Sequence, residues 1–181
     1  YQALLVSDGG TDNVAVGKDA GKSVSTGIRN TIIGATAGDA LTTGSNNTII
    51  GKNAEASAVD VDNEITLGNS AISTIRAQVT SISSLSDRRD KKDIQDSTYG
   101  LDFVDSLKPV TFEWDQRDGE RKGVKDLGFI AQDLQEVDDE YTRLVHESNP
   151  DKLEATYGRL IPIMAKAIQE LSAKVKMLEN K

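Results

Sequence analysis

The chain contains no cysteine and a single histidine. The first absence excludes disulfides and thiolate metal sites. The second confines imidazole chemistry, whether a histidine metal site or a Ser-His-Asp triad, to His146. Aromatic residues are only 4% of the sequence and unevenly spread. Between Gln2 and Thr98 there is no Phe, Trp or Tyr, whereas Phe103, Phe112, Trp114, Phe129, Tyr141 and Tyr157 all lie beyond. Aromatic side chains bury the most area per residue, so the first half lacks the usual filling of a globular core. A domain boundary is therefore expected between Leu67 and Ser86. No apolar run approaches the ~20 residues that span a bilayer. The opening Tyr1-Gln2-Ala3-Leu4-Leu5-Val6 has no basic head and no long apolar stretch, and reads as a fragment of a longer chain rather than a signal peptide. Positive charge is in deficit: the net charge is −8, without the basic face of a nucleic-acid binder. With 37% hydrophobic and 28% charged residues the composition fits a soluble chain whose stability comes from packing and oligomerisation.

What is present first is a repeat. Asn13-Val14-Ala15-Val16-Gly17 returns as Asn30-Thr31-Ile32-Ile33-Gly34 and again as Asn47-Thr48-Ile49-Ile50-Gly51, at a period of 17. A looser fourth copy is read as Asn63-Glu64-Ile65-Thr66-Leu67-Gly68. After the first three glycines come the alanine-bearing segments Lys18-Asp19-Ala20, Ala35-Thr36-Ala37 and Lys52-Asn53-Ala54. Each copy offers a short strand of mostly β-branched residues and then a glycine where the chain bends. One copy cannot bury its apolar face; stacked copies can. With so few large side chains, three intertwined chains are expected rather than one solenoid, a single-chain β-solenoid spacer being the alternative. Over residues 10 to 68 the pattern resembles the strand-and-turn repeats of trimeric autotransporter adhesin heads, with similar repeats in phage fibre shafts. A neck follows at 72–85, where Ile72, Ile75, Val79, Ile82 and Leu85 suit a short helix or coiled-coil turn; its Ser and Thr content weakens helix propensity and leaves an extended stalk equally open.

The chemistry concentrates in Ser86-Asp87-Arg88-Arg89-Asp90-Lys91-Lys92-Asp93-Ile94, of which seven residues in nine are charged. An arbitrary charge run is a solvated linker, but ordered matches follow this one. It resembles the Ser-Asp-x-x-x-Lys-x-x-Ile signature that opens the endosialidase-type intramolecular chaperone domain. Gly100-Leu101, Leu107 to Trp114, Leu127 to Val137 (with Gly128-Phe129-Ile130-Ala131-Gln132 as a core strand), and Thr156 to Pro162 leading into an Ala-Ile-Gln-Glu-Leu helix resemble its later segments. The resemblance implies that the domain helps the upstream chain trimerise and then cuts itself off before the motif serine. The scissile bond is then Leu85–Ser86, with Ser86 as nucleophile and Lys91 as base.

Serine needs a base to become nucleophilic, and lysine can replace histidine in that role. Lysine must then be neutral, which burial or cationic neighbours promote. Arg88, Arg89 and Lys92 push that way; Asp87, Asp90 and Asp93 push against it. Ser86 is expected to attack the carbonyl before it, giving an ester that water opens, or the equivalent bond of a neighbouring subunit. Lys92 is the runner-up base. Ser83, Ser84 and Ser97 are read as ordinary polar residues, His146 as a surface loop residue, and Gln132 and Asp133 as a strand end entering a helix rather than neighbours of the dyad.

Beyond the motif, a helix is expected over Ser97 to Leu107, a strand from Pro109 to Trp114, a charged hairpin loop from Asp115 to Lys125 around Asp118-Gly119, a strand from Leu127 to Ala131 and a helix from Gln132 to Val137. Ile161, Met164, Ile168, Leu171, Val175 and Leu178 form a heptad seam on a helix beginning near Pro162, read as a trimer clamp, with an intrachain amphipathic helix as the alternative. The expected whole is thus a β-repeat trimeric shaft or head (1–71), a neck (72–85) and an α+β chaperone and autoprotease domain (86–181) ending in a coiled-coil helix (160–181), assembled as an intertwined homotrimer. It reads as the end of a phage tail fibre or tailspike in the virion, assembled in the host cytoplasm. Its partners are itself, the upstream fibre and a host-surface receptor, with no nucleic acid, membrane insertion or cofactor. The competing reading is a non-cleaving trimeric adhesin-like module. A membrane-tethered transcription factor, also known in the family, would need a basic region and a membrane helix that this sequence does not display.

Overall fold

Parallel pairing between successive repeats organises the amino-terminal half of the computed structural model, which describes residues 2–79 and 81–180. Thr80 of the neck and Lys181 of the expected coiled coil lie outside the described residues. The chain divides into two compact units: residues 1–74, 113–124 and 147–152 in one, and 75–112, 125–146 and 153–181 in the other.

In the first unit, strands β1 (Val14–Val16), β2 (Thr31–Ile33), β3 (Thr48–Ile50) and β4 (Ile65–Leu67) form one sheet in sequence order. All three pairings are parallel and in strict one-repeat register: Ala15 faces Ile32, Ile32 faces Ile49 and Ile49 faces Thr66. Backbone hydrogen bonds at the same spacing continue through the turns, from Ser25 N–H to Thr42 O (2.9 Å) and from Thr42 N–H to Val59 O (2.7 Å). Each repeat is therefore one rung of a stack built within a single chain. That stack supplies its own core: Ala20, Val24, Ile32, Ala37, Leu41, Ile49 and Ala54 are fully or almost fully buried together. A single chain thus fills this interior, the alternative that the sequence left open, for a packing reason. Alanines and glycines let the rungs approach so closely that a few Ile, Leu and Val side chains fill the interior.

A ladder of asparagines ties rung to rung. The Oδ1 atoms of Asn13, Asn30 and Asn47 accept from the backbone N–H of Asn30 (2.9 Å), Asn47 (3.0 Å) and Glu64 (2.9 Å). Their Nδ2 groups donate to the carbonyls of Gly27 (2.7 Å), Gly44 (2.9 Å) and Val61 (2.7 Å). Glu64 thus occupies the fourth ladder position, and the sequence alignment of Asn63 with Asn47 is off by one residue. Asn63 instead stacks on Asn46, accepting from its Nδ2 at 2.8 Å, and both have positive φ. The Glu64 carboxylate accepts from Ser57 N–H (2.8 Å), Ser57 Oγ (2.5 Å) and Thr66 Oγ1 (2.9 Å). Gly34 shows why glycine recurs after each strand: its φ is +138°, and a Cβ there would lie 2.4 Å from Gly51 O.

In the second unit, residues 75–79 and 81–87 belong to no helix or strand. Helix α1 is Leu101–Ser106, shorter than the expected Ser97–Leu107. Ser97 Oγ accepts from Tyr99 N–H at 3.1 Å instead of capping the helix. The α1 entry is held by the Glu170 carboxylate, which accepts from Leu101 N–H at 2.8 Å. Strands β5 (Val110–Glu113) and β6 (Lys125–Gly128) pair as a hairpin, with β6 two residues earlier than expected, and α2 covers Ala131–Gln135. An unanticipated antiparallel pair, β7 (Val145–His146) and β8 (Glu154–Ala155), sets His146 opposite Glu154, half-buried rather than in a surface loop. Asp138 holds the approach to β7 by accepting from Leu144 N–H (2.7 Å) and Val145 N–H (2.9 Å).

The terminal helix α3 runs Leu160–Glu179. It packs on its own domain through Leu160 and Ile163, which join Leu134 and Leu144 in the core, and it also buries Ala167. The heptad seam lies elsewhere on the helix: Ile161 is 64% exposed and Ile168 67%, and Met164, Leu171, Val175 and Leu178 are also exposed. Intrachain packing and the seam therefore use different residues. Among the described residues no helix is long and apolar enough to cross a membrane.

Two expectations follow for the stack. Asn30 is fully buried, and Asn30→Ala leaves both the Asn47 N–H and the Gly44 carbonyl without their side-chain partner, so urea titration of the trimmed variant should show a loss of about 2–4 kcal/mol. Glu55, which accepts from the N–H groups of Asp39 (3.0 Å) and Ala40 (3.3 Å), has its pKa pushed up to about 7, first by burial and then by its hydrogen bond with Asp39. A folded-state pKa above the unfolded one means that the native chain binds the proton more tightly. The contribution is complete below the unfolded value near 4.5, declines as pH rises and is gone above about 7. Thermal melts at pH 5 and pH 8 should show Glu55→Gln gaining stability relative to the parent at the higher pH.

Candidate functional site

The charged run after the neck folds on itself through a tight turn. Asp87 is in extended backbone (φ −65°, ψ 137°), and a 3-10 turn spans Arg88–Asp90. Asp90 N–H donates to Asp87 O and Lys91 N–H to Arg88 O, each at 3.2 Å. Aspartate is a favoured N-cap because its carboxylate accepts an orphan N–H of the first turn; here Asp87 Oδ1 accepts from Arg89 N–H at 2.8 Å. The Arg89 guanidinium returns to the same carboxylate, Nε to Oδ1 at 3.1 Å and one terminal nitrogen to Oδ2 at 2.7 Å. That side-chain pairing, with the backbone hydrogen bond second, holds the Asp87 carboxyl below the usual carboxylate range.

The turn brings together the two residues singled out from the sequence. Lys91 Nζ donates to Ser86 Oγ at 2.6 Å. The preceding Leu85 is 93% exposed and belongs to no helix or strand, so the Leu85–Ser86 peptide bond is in open backbone. Ser86 and Lys91 are themselves exposed. This contact is short enough for direct proton transfer between hydroxyl and amine, the geometric requirement for a lysine base.

The remaining candidates separate from this pair. Lys92 is exposed, and the hydrogen bond to Ser86 belongs to Lys91. Asp133 lies on α2, 3.8 Å from Lys108 Nζ, and Gln132 is exposed on the same helix; both belong to the strand-to-helix passage. Ser83 and Ser84 are exposed in the neck, and Ser97 serves a local turn at Tyr99. Among the described residues no cluster of His, Asp or Glu is arranged to hold a metal ion. Sequence reasoning treated Asp87 and Arg89 only as opposing charges around the lysine. Their pairing takes Arg89 out of that contest, and the Ser-Asp order before a short charged run was the signal that Asp87 is an N-cap.

Compared with known proteins, residues 86–145 match the family described as Chaperone of endosialidase. Nothing among the curated proteins or the solved structures matches the chain. The matched segment opens at Ser86, takes in the capped turn and Lys91, and runs through α1, the β5–β6 hairpin and α2 to Val145. The match thus supports an endosialidase-type chaperone domain over residues 86–145.

Proposed function

We propose that this chain is the C-terminal part of a phage tail fibre or tailspike, in which residues 86–181 drive trimerisation of the upstream β stack and then release themselves by cutting Leu85–Ser86. The observation that carries the reading is the 2.6 Å hydrogen bond from Lys91 Nζ to Ser86 Oγ, formed at the first residue of the family match. Neutral Lys91 takes the proton from Ser86 Oγ as that oxygen attacks the Leu85 carbonyl carbon. The new C–O bond forms an ester, the C–N bond breaks, and the proton passes from Lys91 to the departing Ser86 nitrogen. Water then opens the ester, leaving a Leu85 carboxylate and restoring the Ser86 hydroxyl. No metal or organic cofactor enters this sequence.

Assembly as a homotrimer is supported by the apolar surface that one chain leaves uncovered. The seam of α3 is one such face. The outer face of the β stack is another, with Val14, Val16, Ile33, Ile50, Ile65 and Leu67 exposed. Ile75, Val79, Ile82 and Leu85 of the neck are exposed as well. Apolar surface on this scale favours burial against further copies. The assembled spike belongs to the virion, where the stack presents itself to a host-surface receptor.

One observation favours a second reading, a trimeric adhesin-like module that folds but does not cut. Ser86 and Lys91 are exposed in the single chain, whereas burial is what favours a lysine acting as a base. Cleavage therefore requires the environment of the assembled trimer.

Denaturing mass spectrometry of the freshly made protein beside Ser86→Ala, Lys91→Ala and Lys91→Arg separates these readings. Self-cleavage gives fragments 1–85 and 86–181 from the parent and intact chains from all three variants. An intact parent removes the peptidase and leaves the structural module. Independently, Ile168→Glu combined with Leu171→Glu should convert the trimer to monomer in analytical ultracentrifugation while leaving the helical circular dichroism signal in place. A variant that stays trimeric removes α3 as the clamp.

A further inference from the structure

Five residues of extended chain would separate two Cα atoms by roughly 17 Å, more than a lysine side chain can recover. Contact between Ser86 and Lys91 therefore depends on the chain doubling back between them, and the 3-10 turn at Arg88–Asp90 does this. Such a turn is weak in isolation, because its hydrogen bonds are few and poorly aligned and nucleation fixes several dihedrals for each bond gained. None of the residues of this one is buried. Its stability is local, and Asp87 contributes to it a side-chain hydrogen bond from outside the turn. Among the described residues from 71 to 98, Asp87 is also the only one that is half-buried rather than exposed. Its Oδ1 accepts from Arg89 N–H, and Arg89 clamps the carboxylate in that orientation. Lys91 leaves the turn in extended backbone (φ −127°, ψ 143°), anchored by its N–H on Arg88 O, with its amine directed back to Ser86.

We infer that Asp87 is a positioning residue for self-cleavage: by capping the turn it holds Lys91 within proton-transfer distance of Ser86. The inference rests on the Ser86–Lys91 reading above and goes beyond it. Asp87 touches neither reacting atom. It sets how much of the time the base is in place, so its loss slows the cut in proportion to the fraction of chains whose turn has opened. What matters in this role is an oxygen acceptor at the cap, which Asn and Ser supply about as well as Asp and which Ala lacks.

The test follows cleavage over time in pulse-labelled chains made by cell-free synthesis, comparing the parent with Asp87→Ala, Asp87→Asn and Asp87→Ser, with Ser86→Ala as the uncut control. Sedimentation of each product checks that assembly is unchanged. Loss of a helix cap should slow Asp87→Ala by roughly 5- to 30-fold, while the Asn and Ser variants stay within about threefold of the parent. Rescue by serine, which restores neither charge nor size, is not expected from a role in bulk folding or from an ion pair with Arg89. Asp87→Ala cutting at the parent rate, or serine cutting as slowly as alanine, overturns the positioning role while leaving the dyad intact. A parent that is never cut overturns the dyad and this inference together.

Discussion

An asparagine amide is one of the few side chains that can accept from one backbone group and donate to another at the same time. In the amino-terminal unit this property sets the spacing of everything else. Asn13 and Asn30 each bridge to the rung after them with both atoms of the amide, and Asn47 passes the pattern on to Glu64. A rung one residue longer or shorter would carry the amide out of reach of its N–H and its carbonyl together. It would also move Ala37 and Ala54 off their buried column and Gly34 off the site where only a missing Cβ fits. The polar ladder and the apolar core therefore enforce the same period. The ladder is buried at Asn30 and Asn47, where an unpaired amide is costly, so register errors are penalised twice.

Much of this was legible in the sequence. The 17-residue period, the short strands and the recurrent glycines all correspond to structural positions. What composition misjudged was the core. A shortage of aromatics argues against a globular interior filled by large side chains, but a stack fills its interior with repeated small ones at close approach. The one-residue slip at Asn63 had a similar origin: residue type was matched where strand register decides, and Asn63 belongs to the column of Asn46. In the second unit, Val110 and Phe112 alternate inward as a strand pattern requires. The β7–β8 pair escaped notice because two-residue strands carry no periodicity, and the shortened α1 because its first N–H is satisfied by Glu170, far away in sequence.

The candidate site was readable as a list of residues and not as a geometry. Ser86 and Lys91 came from the motif, and their contact could not be derived from spacing alone, since a separation of five suits neither face of a regular helix. A capped turn followed by one extended residue brings them together. The charges around the lysine were visible, yet their effect depended on which of them pair. Once Arg89 is held by Asp87, the local field near Lys91 differs from a simple tally of signs.

Glu64 gives the stack an arithmetic of its own. It takes the fourth place in the asparagine column, but a carboxylate has no N–H to pass to a following rung, and its oxygens are engaged by Ser57 and Thr66. In evolutionary terms the rungs before it are interchangeable modules: a tandem duplication of one 17-residue unit upstream of Glu64 preserves every donor–acceptor step, whereas the same duplication beginning at Glu64 breaks the column at its first new member. Stack length in such a lineage is free to drift by whole rungs on one side of this residue, and a single codon marks where the counting stops.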